Sequence, residues 1–206
     1  MRATVLLAVV GAVTAAAPSA AARPARRCLP AGSATVIKAP GARVFARWVP
    51  KRRGNGRVRA YFGCLDRARR AWAFRRSAVE GMDGYSPIRL SGRWLAYGMF
   101  EACRRCRDRR TLLVRQDLRT GRRRILALDR VGDGSETTLW DLEVARDGRL
   151  AFVAQAEGAR PVVVAMGANG STRVLDDGRG IAPRTLFRRG DVVRWYRAGK
   201  LRKARL

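Results

Sequence analysis

From Ala34 onward the apolar residues come in short strings, with glycine, asparagine and aspartate in the turns between them. The spacing of three and four that marks a helix face is almost absent. Three segments repeat one pattern: a short strand, a glycine turn, and a second strand carrying an aromatic. They are Ile88-Arg-Leu90-Ser-Gly92-Arg-Trp94-Leu95-Ala-Tyr97, Leu142-Glu-Val144-Ala-Arg-Asp147-Gly148-Arg-Leu150-Ala-Phe152 and Leu186-Phe187-Arg-Arg-Gly190-Asp-Val192-Val193-Arg-Trp195. Asp147-Gly148 between alternating apolar residues signals a hairpin, because both residues tolerate positive φ. A second series interleaves with the first. Leu112-Leu113-Val114 runs through Gly121 to Ile125-Leu126, and Val162-Val163-Val164 runs through Gly170 to Val174-Leu175. The turn glycines lie 56 and 42 positions apart in the first series and 49 apart in the second. Two interleaved hairpin series of this period predict stacked or radially arranged β units.

The strands follow unit by unit. A first unit holds Thr35–Ile37, Arg43–Val49, Arg57–Cys64 and Arg70–Phe74. A second holds Pro87–Leu90, Trp94–Phe100, Thr111–Leu118 and Arg123–Leu128. A third holds Leu139–Ala145, Leu150–Gln155, Pro161–Met166 and Thr172–Leu175. A shorter last unit holds Leu186–Arg189, Val192–Arg197 and Lys200–Leu206. Only Asp66–Val79 competes as a helix, with Trp72 and Val79 on one face. Trp94-Leu95-Ala96-Tyr97, Leu150-Ala-Phe152-Val153 and Val162–Val164 are apolar on both alternating faces, so their sheets are covered on both sides. Trp140-Asp141-Leu142-Glu143-Val144 alternates, which places Asp141 and Glu143 on a water-facing side. The fold class expected is all-β, a propeller-like array of about four antiparallel β units of 40–50 residues each, spanning 34–206.

The D-G-R-L-A-F step at Asp147–Phe152 and the D-L-R-T-G-R-R step at Asp117–Arg123 resemble WD-repeat and TolB-like propellers. More closely, they resemble secreted propeller-like proteins of GC-rich bacteria. The resemblance covers Ala34–Leu206 and specifies hairpins. Its Trp-Asp dipeptide occurs only at Trp140-Asp141, in the wrong part of its unit for a true WD repeat. It implies a binding or scaffold role and carries over no catalytic residue.

The start of the chain reads as an address. Met1-Arg2 is followed by apolar Ala3–Val13 and a small-residue tail to Ala22, with the A-x-A step at Ala20–Ala22. A signal peptide at 1–22 cut before Arg23 is expected, followed by a linker at 23–33. The run before Pro18 is shorter than the ~20 residues of a spanning helix, and no later segment can span a bilayer. A secreted or extracytoplasmic location follows as an expectation. Cys28, Cys64, Cys103 and Cys106 then read as structural disulfides, with three pairings possible. Cys28–Cys64 would tie the N-terminal linker to a strand, and Cys103–Cys106 would clip a loop between strands.

Composition narrows the chemistry. Histidine is absent, so no Ser-His or Cys-His triad and no His-ligated metal site is possible. The serines sit in neither G-x-S-x-G nor S-x-x-K spacing, and no Walker or G-x-G-x-x-G loop opens a helix. No cofactor, metal or catalytic residue is expected. Six of the 16 acidic residues fall between Asp129 and Asp147. Two of them facing each other would suit a glycoside hydrolase, the least favoured reading. The D-x-D-x-D-G calcium spacing is missing at Asp129–Glu136.

The net charge is +28, and 40 of the 44 basic residues are arginine. GC-rich coding accounts for that ratio, yet the field it creates attracts polyanions whatever its origin. Candidate polyanion contacts are Arg52, Arg53, Arg69, Arg70, Arg104, Arg105, Arg122 and Arg123. The expectation is an exported, monomeric binding or interaction module whose partner is a protein or a cell-wall polymer. The alternative is an envelope polyanion or nucleic-acid binder driven by the arginine-rich surface.

Overall fold

The computed structural model describes residues 28–51, 54–68, 70–77, 87–102, 109–128 and 137–206. They form four antiparallel sheets, each built in chain order. Sheet I is β1 (Ala34–Ala39), β2 (Ala42–Pro50), β3 (Arg57–Leu65) and β4 (Ala71–Ser77). Sheet II is β5 (Ile88–Ser91), β6 (Trp94–Ala102), β7 (Arg109–Asp117) and β8 (Arg123–Ala127). Sheet III is β9 (Thr137–Val144), β10 (Leu150–Ala156), β11 (Val162–Met166) and β12 (Thr172–Asp177). Sheet IV has three strands, β13 (Phe187–Arg189), β14 (Val192–Arg197) and β15 (Lys200–Arg205). The fold is all-β and propeller-like, as the two hairpin series predict. The helical alternative at Asp66–Val79 is overturned over its described residues. There, β4 pairs with β3, and the side chains alternate at period two, Phe74 being buried and Ala73 exposed.

The strings that are apolar on both faces now have a cause. Leu95 and Tyr97 of β6 join Val44, Tyr61 and Phe74 in the core between sheets I and II. Ala96, from the other face of β6, joins Leu113, Leu142, Leu150 and Phe152 between sheets II and III. Ala151 and Val153 of β10 face the opposite way, onto Ile181, Val193 and Trp195 between sheets III and IV. Each internal sheet therefore buries both its faces, and every fully buried Leu or Phe contributes ~1.5–3 kcal/mol. None of these core clusters joins sheet IV to sheet I among the described residues.

The two ends of the array differ. The outer face of sheet I carries Phe45 stacked on Phe62 at 5.2 Å, and Cys28 and Leu29 cover it. The Cys28–Cys64 disulfide holds that cover in place, with the Cα atoms 6.0 Å apart. Cys103 and Cys106 lie outside the described residues. Among the described residues the outer face of sheet IV has no such cover: Phe187 and Tyr196 are each 40% exposed and Leu201 is 47% exposed.

The acidic strand departs from its expected orientation. Val153 pairs with Asp141 and Ala154 with Leu139, so Trp140 is an extra residue in a β-bulge. The bulge lets Leu139 and Leu142 enter one core although they are three positions apart. Asp141 does not meet water and is only 3% exposed, while Glu143 is half-buried. The first strands β5 and β9 lie side by side, so the polar face of β9 is closed over by its neighbours.

Candidate interaction surface

Buried or half-buried polar groups join the sheets in this fold. Asp141 Oδ1 accepts from Arg89 Nη2 at 3.0 Å and from the Leu142 N–H at 2.9 Å. Its Oδ2 accepts from the Leu186 N–H at 2.9 Å. Glu143 Oε1 accepts from Arg89 Nε at 3.1 Å. One carboxylate thus fastens three sheets. Burial raises the Glu143 pKa, and the neighbouring Asp141 charge adds to that, against the hydrogen bond and charge of Arg89. Arg188 of β13 crosses the same centre, donating to Val144 O at 3.2 Å and to Ser91 Oγ at 3.3 Å.

A second junction is built on Arg115, which is 4% exposed. Its Nη1 donates to Gly148 O at 2.6 Å and Gly167 O at 3.0 Å, and its Nη2 to Ala168 O at 2.7 Å. Its guanidinium also lies 5.2 Å from the Trp94 ring, and that of Arg93 lies 5.1 Å from the same ring. Burial lowers the Arg115 pKa, aided by Arg124 and opposed by Asp147.

Outer strands make a related contact with the outer hairpin of the next sheet. Trp72 of β4 covers Gly121 and donates from Nε1 to Leu118 O at 3.0 Å. Arg124 of β8 lies over Gly170 and donates to Asn169 O. Arg173 of β12 donates to Arg205 O. On the inward face of sheet IV, Trp195 Nε1 donates to Asp176 Oδ2 at 2.8 Å and Arg197 to Asp176 Oδ1.

Of the arginines singled out from the sequence, three are described. Arg52, Arg53, Arg69, Arg104 and Arg105 lie outside the described residues. Arg70 and Arg122 are exposed. Arg123 is exposed and donates to Ala73 O, so it stitches sheet II to sheet I. The carboxylates Asp141 and Glu143 stand two residues apart on one strand and share one guanidinium, which is not the two-sided arrangement that sugar hydrolysis needs. Asp129, Asp133 and Glu136 lie outside the described residues. Among the described residues no group of three or more acidic or thiol side chains could hold a metal ion.

Two places on sheet IV are open. A shallow cleft of about 700 Å³ lies between the β9–β10 and β13–β14 turns, lined by Arg146, Asp147, Arg149, Arg188, Arg189 and Asp191. Arg149 bridges its two carboxylates, at 2.6 Å to Asp147 and 3.4 Å to Asp191. Adjoining it through Arg189 is the outward face of β13–β15. The register sets Phe187, Arg194 and Lys203 in one cross-strand row, Arg189, Val192 and Arg205 in a second, and Tyr196 beside Leu201 in a third. β13, β14 and β15 contain no Asp or Glu.

Comparison with protein-family models, with curated proteins and with solved structures returns no match.

The sequence signal for this face was available. Leu201-Arg-Lys203-Ala-Arg205 contains no string that is apolar on both faces. That pattern marks a strand with a packed neighbour on one side at most.

Proposed function

We propose that the protein is an extracytoplasmic interaction module that holds an extended anionic partner on the outward face of β13–β15. The observation carrying this reading is the composition of that face. Four cations (Arg189, Arg194, Lys203 and Arg205) stand with Phe187, Tyr196 and Leu201 on the three strands, and no carboxylate shares them. Elsewhere Arg89, Arg115, Arg188 and Arg197 are occupied by carboxylates or carbonyls at the joints between sheets. Strands about 4.8 Å apart, with same-face residues roughly 6.8 Å apart along each, make a grid of positive charge over an apolar floor. Such a grid complements a linear polyanion and repels a second copy of this basic chain. The signal-like start and the Cys28–Cys64 disulfide support a location outside the cytoplasm.

The test is salt-dependent binding of poly-L-glutamate and of heparin to the wild-type protein. It is repeated with a variant combining Arg189→Ala, Arg194→Ala, Lys203→Ala and Arg205→Ala. The expected result is at least a tenfold loss of affinity in this variant, with a weaker dependence on salt. Arg70→Ala with Arg122→Ala, which removes two exposed charges elsewhere, is expected to change affinity less than threefold. Equal losses in the two variants would reduce the effect to net charge and overturn the assignment to this face.

A further inference from the structure

We infer that the partner is an acidic segment of polypeptide which adds to β15 as a fourth strand of sheet IV. This deepens the reading above and rests on it. The outer edge of sheets I, II and III is β4, β8 and β12 respectively, whereas sheet IV, among the described residues, ends on its third strand. Antiparallel pairing directs alternate backbone groups of an edge strand outward, and the register shows which ones these are. The Leu206 N–H donates to Asp191 O at 2.9 Å, so Leu206 exchanges its bonds with the β14 side. By alternation Ala204, Arg202 and Lys200 do the same, opposite Val193, Trp195 and Arg197. The N–H and C=O groups of Leu201, Lys203 and Arg205 therefore point to the open edge. The Arg173 side chain from sheet III reaches Arg205 O, which confirms that this carbonyl faces away from β14. No strand pairs with that edge among the described residues.

Two independent complementarities then specify the occupant. The edge groups of Leu201 and Lys203 and the Arg205 N–H select an extended chain with its own alternating donors and acceptors, which a polypeptide has and a polysaccharide or polyphosphate lacks. The side chains of the edge, Lys200, Arg202, Lys203 and Arg205 with exposed Leu201, select against neutral and basic strands. A second copy of β15 would set lysine and arginine against lysine and arginine, which is unfavourable for a cross-strand pair. An acidic strand places Asp or Glu opposite those cations and satisfies both requirements.

The probe is a capped ten-residue peptide of alternating Glu and Thr, compared with a heparin oligosaccharide. Amide hydrogen exchange on the saturated wild-type protein is the first readout. The Leu201 and Lys203 amides are expected to slow at least tenfold with the peptide and not with heparin. Lys203→Ala and Lys203→Pro supply the second readout. Both remove the charge, while proline also removes an edge donor and spares pairing with β14. Alanine is expected to weaken the peptide twofold to threefold, and proline at least tenfold. Heparin is expected to respond equally to both substitutions.

Peptide binding that needs the cations but leaves Leu201 and Lys203 unprotected would overturn strand addition while leaving the anionic surface standing. Binding of both probes unchanged by the fourfold alanine variant would remove the surface itself. If Lys203→Pro fails to fold, exchange on the wild-type protein decides alone.

Discussion

Substituting Gly148 by alanine tests whether sheets II and III are locked at the turn between β9 and β10. Gly148 has φ +90°, a conformation that L residues rarely adopt. That strain costs ~1–2 kcal/mol for a residue with a Cβ. A Cβ at this position would also lie 2.6 Å from Trp94 Cε2 and 2.9 Å from two further ring atoms. The ring would have to move by several tenths of an ångström out of its place between Arg93 and Arg115. Losing one of those cation–ring contacts costs about 0.5–2 kcal/mol. The sum is about 1.5–4 kcal/mol, a large share of the ~5–15 kcal/mol by which a domain is stable.

The repeat supplies its own controls. Gly92 and Gly190 occupy the equivalent turns at φ +55° and +61°, and a Cβ at either meets nothing within 4 Å. Gly92→Ala and Gly190→Ala are expected to show the backbone cost alone, about 1–2 kcal/mol. Urea unfolding followed by tryptophan fluorescence gives the three values on one scale, provided the m-values agree. A double-mutant cycle isolates the packing contribution: in a Trp94→Leu background the excess cost of Gly148→Ala should shrink toward that of the two controls. Equal destabilisation at Gly92, Gly148 and Gly190 in the parent protein would refute the lock.

Two other perturbations address the ends and the centre of the array. Replacing Cys28 and Cys64 together by serine opens a loop with a sequence separation of 36 and should cost about 4 kcal/mol by loop-closure entropy, measured by urea unfolding against the oxidised parent. At Glu143, burial raises the pKa above its usual 4.5, so the folded state favours the protonated acid. Stability from this group is present below the unfolded pKa and is lost as pH rises through the raised folded value. The parent protein should therefore lose stability relative to Glu143→Gln as pH rises upward from about 4.5, and a difference independent of pH across the acidic range would contradict the burial argument.

The strand order was legible because turns need glycine and both-sided burial needs unbroken apolar strings. Gly92, Gly148 and Gly190 all have positive φ, and Leu150–Ala154 is buried at every position. Cys28–Cys64 was one of the pairings the sequence left open, the one that ties the N-terminal linker to a strand, and it is the one formed. The bulge at Trp140 was not legible. Trp140-Asp141-Leu142-Glu143-Val144 alternates perfectly in sequence, and the extra residue appears only when β9 is laid against β10. Misplacing that one residue turned a clamp between sheets into a presumed wet face. Arg115 was missed although it left a trace: it follows Leu112-Leu113-Val114 directly, where a charged residue has no water-facing side to occupy. Sheet IV was read as a short unit, but its exposed face depends on which side packs against sheet III, and that is a tertiary fact.

Arginine performs two separate tasks in this chain, and separating them changes what the net charge means. A GC-rich coding bias would scatter arginine over every exposed position, and a surface made that way would bind polyanions weakly everywhere. At the joints between sheets the residue is instead consumed. Arg115 gives its planar fork to three carbonyls, Arg89 to two carboxylates, and Arg188 to Val144 O and Ser91 Oγ. A lysine at these sites would offer a point charge in place of a fork and would leave acceptors unpaired. Their hydrogen bonds are already committed within the protein, and Arg115 is also buried. On the outward face of β13–β15, Arg189, Arg194, Lys203 and Arg205 also share their strands with no acid, as do the arginines of β1–β4, but here they stand beside the open edge of β15. Affinity for an acidic strand should therefore follow these four side chains and the backbone edge beside them, while stability follows Arg89 and Arg115. Arg115→Leu should lower the unfolding midpoint and leave peptide affinity in the folded protein within twofold, and Arg194→Ala should do the reverse. A single substitution that moved both quantities together would show that the joints and the face are one system.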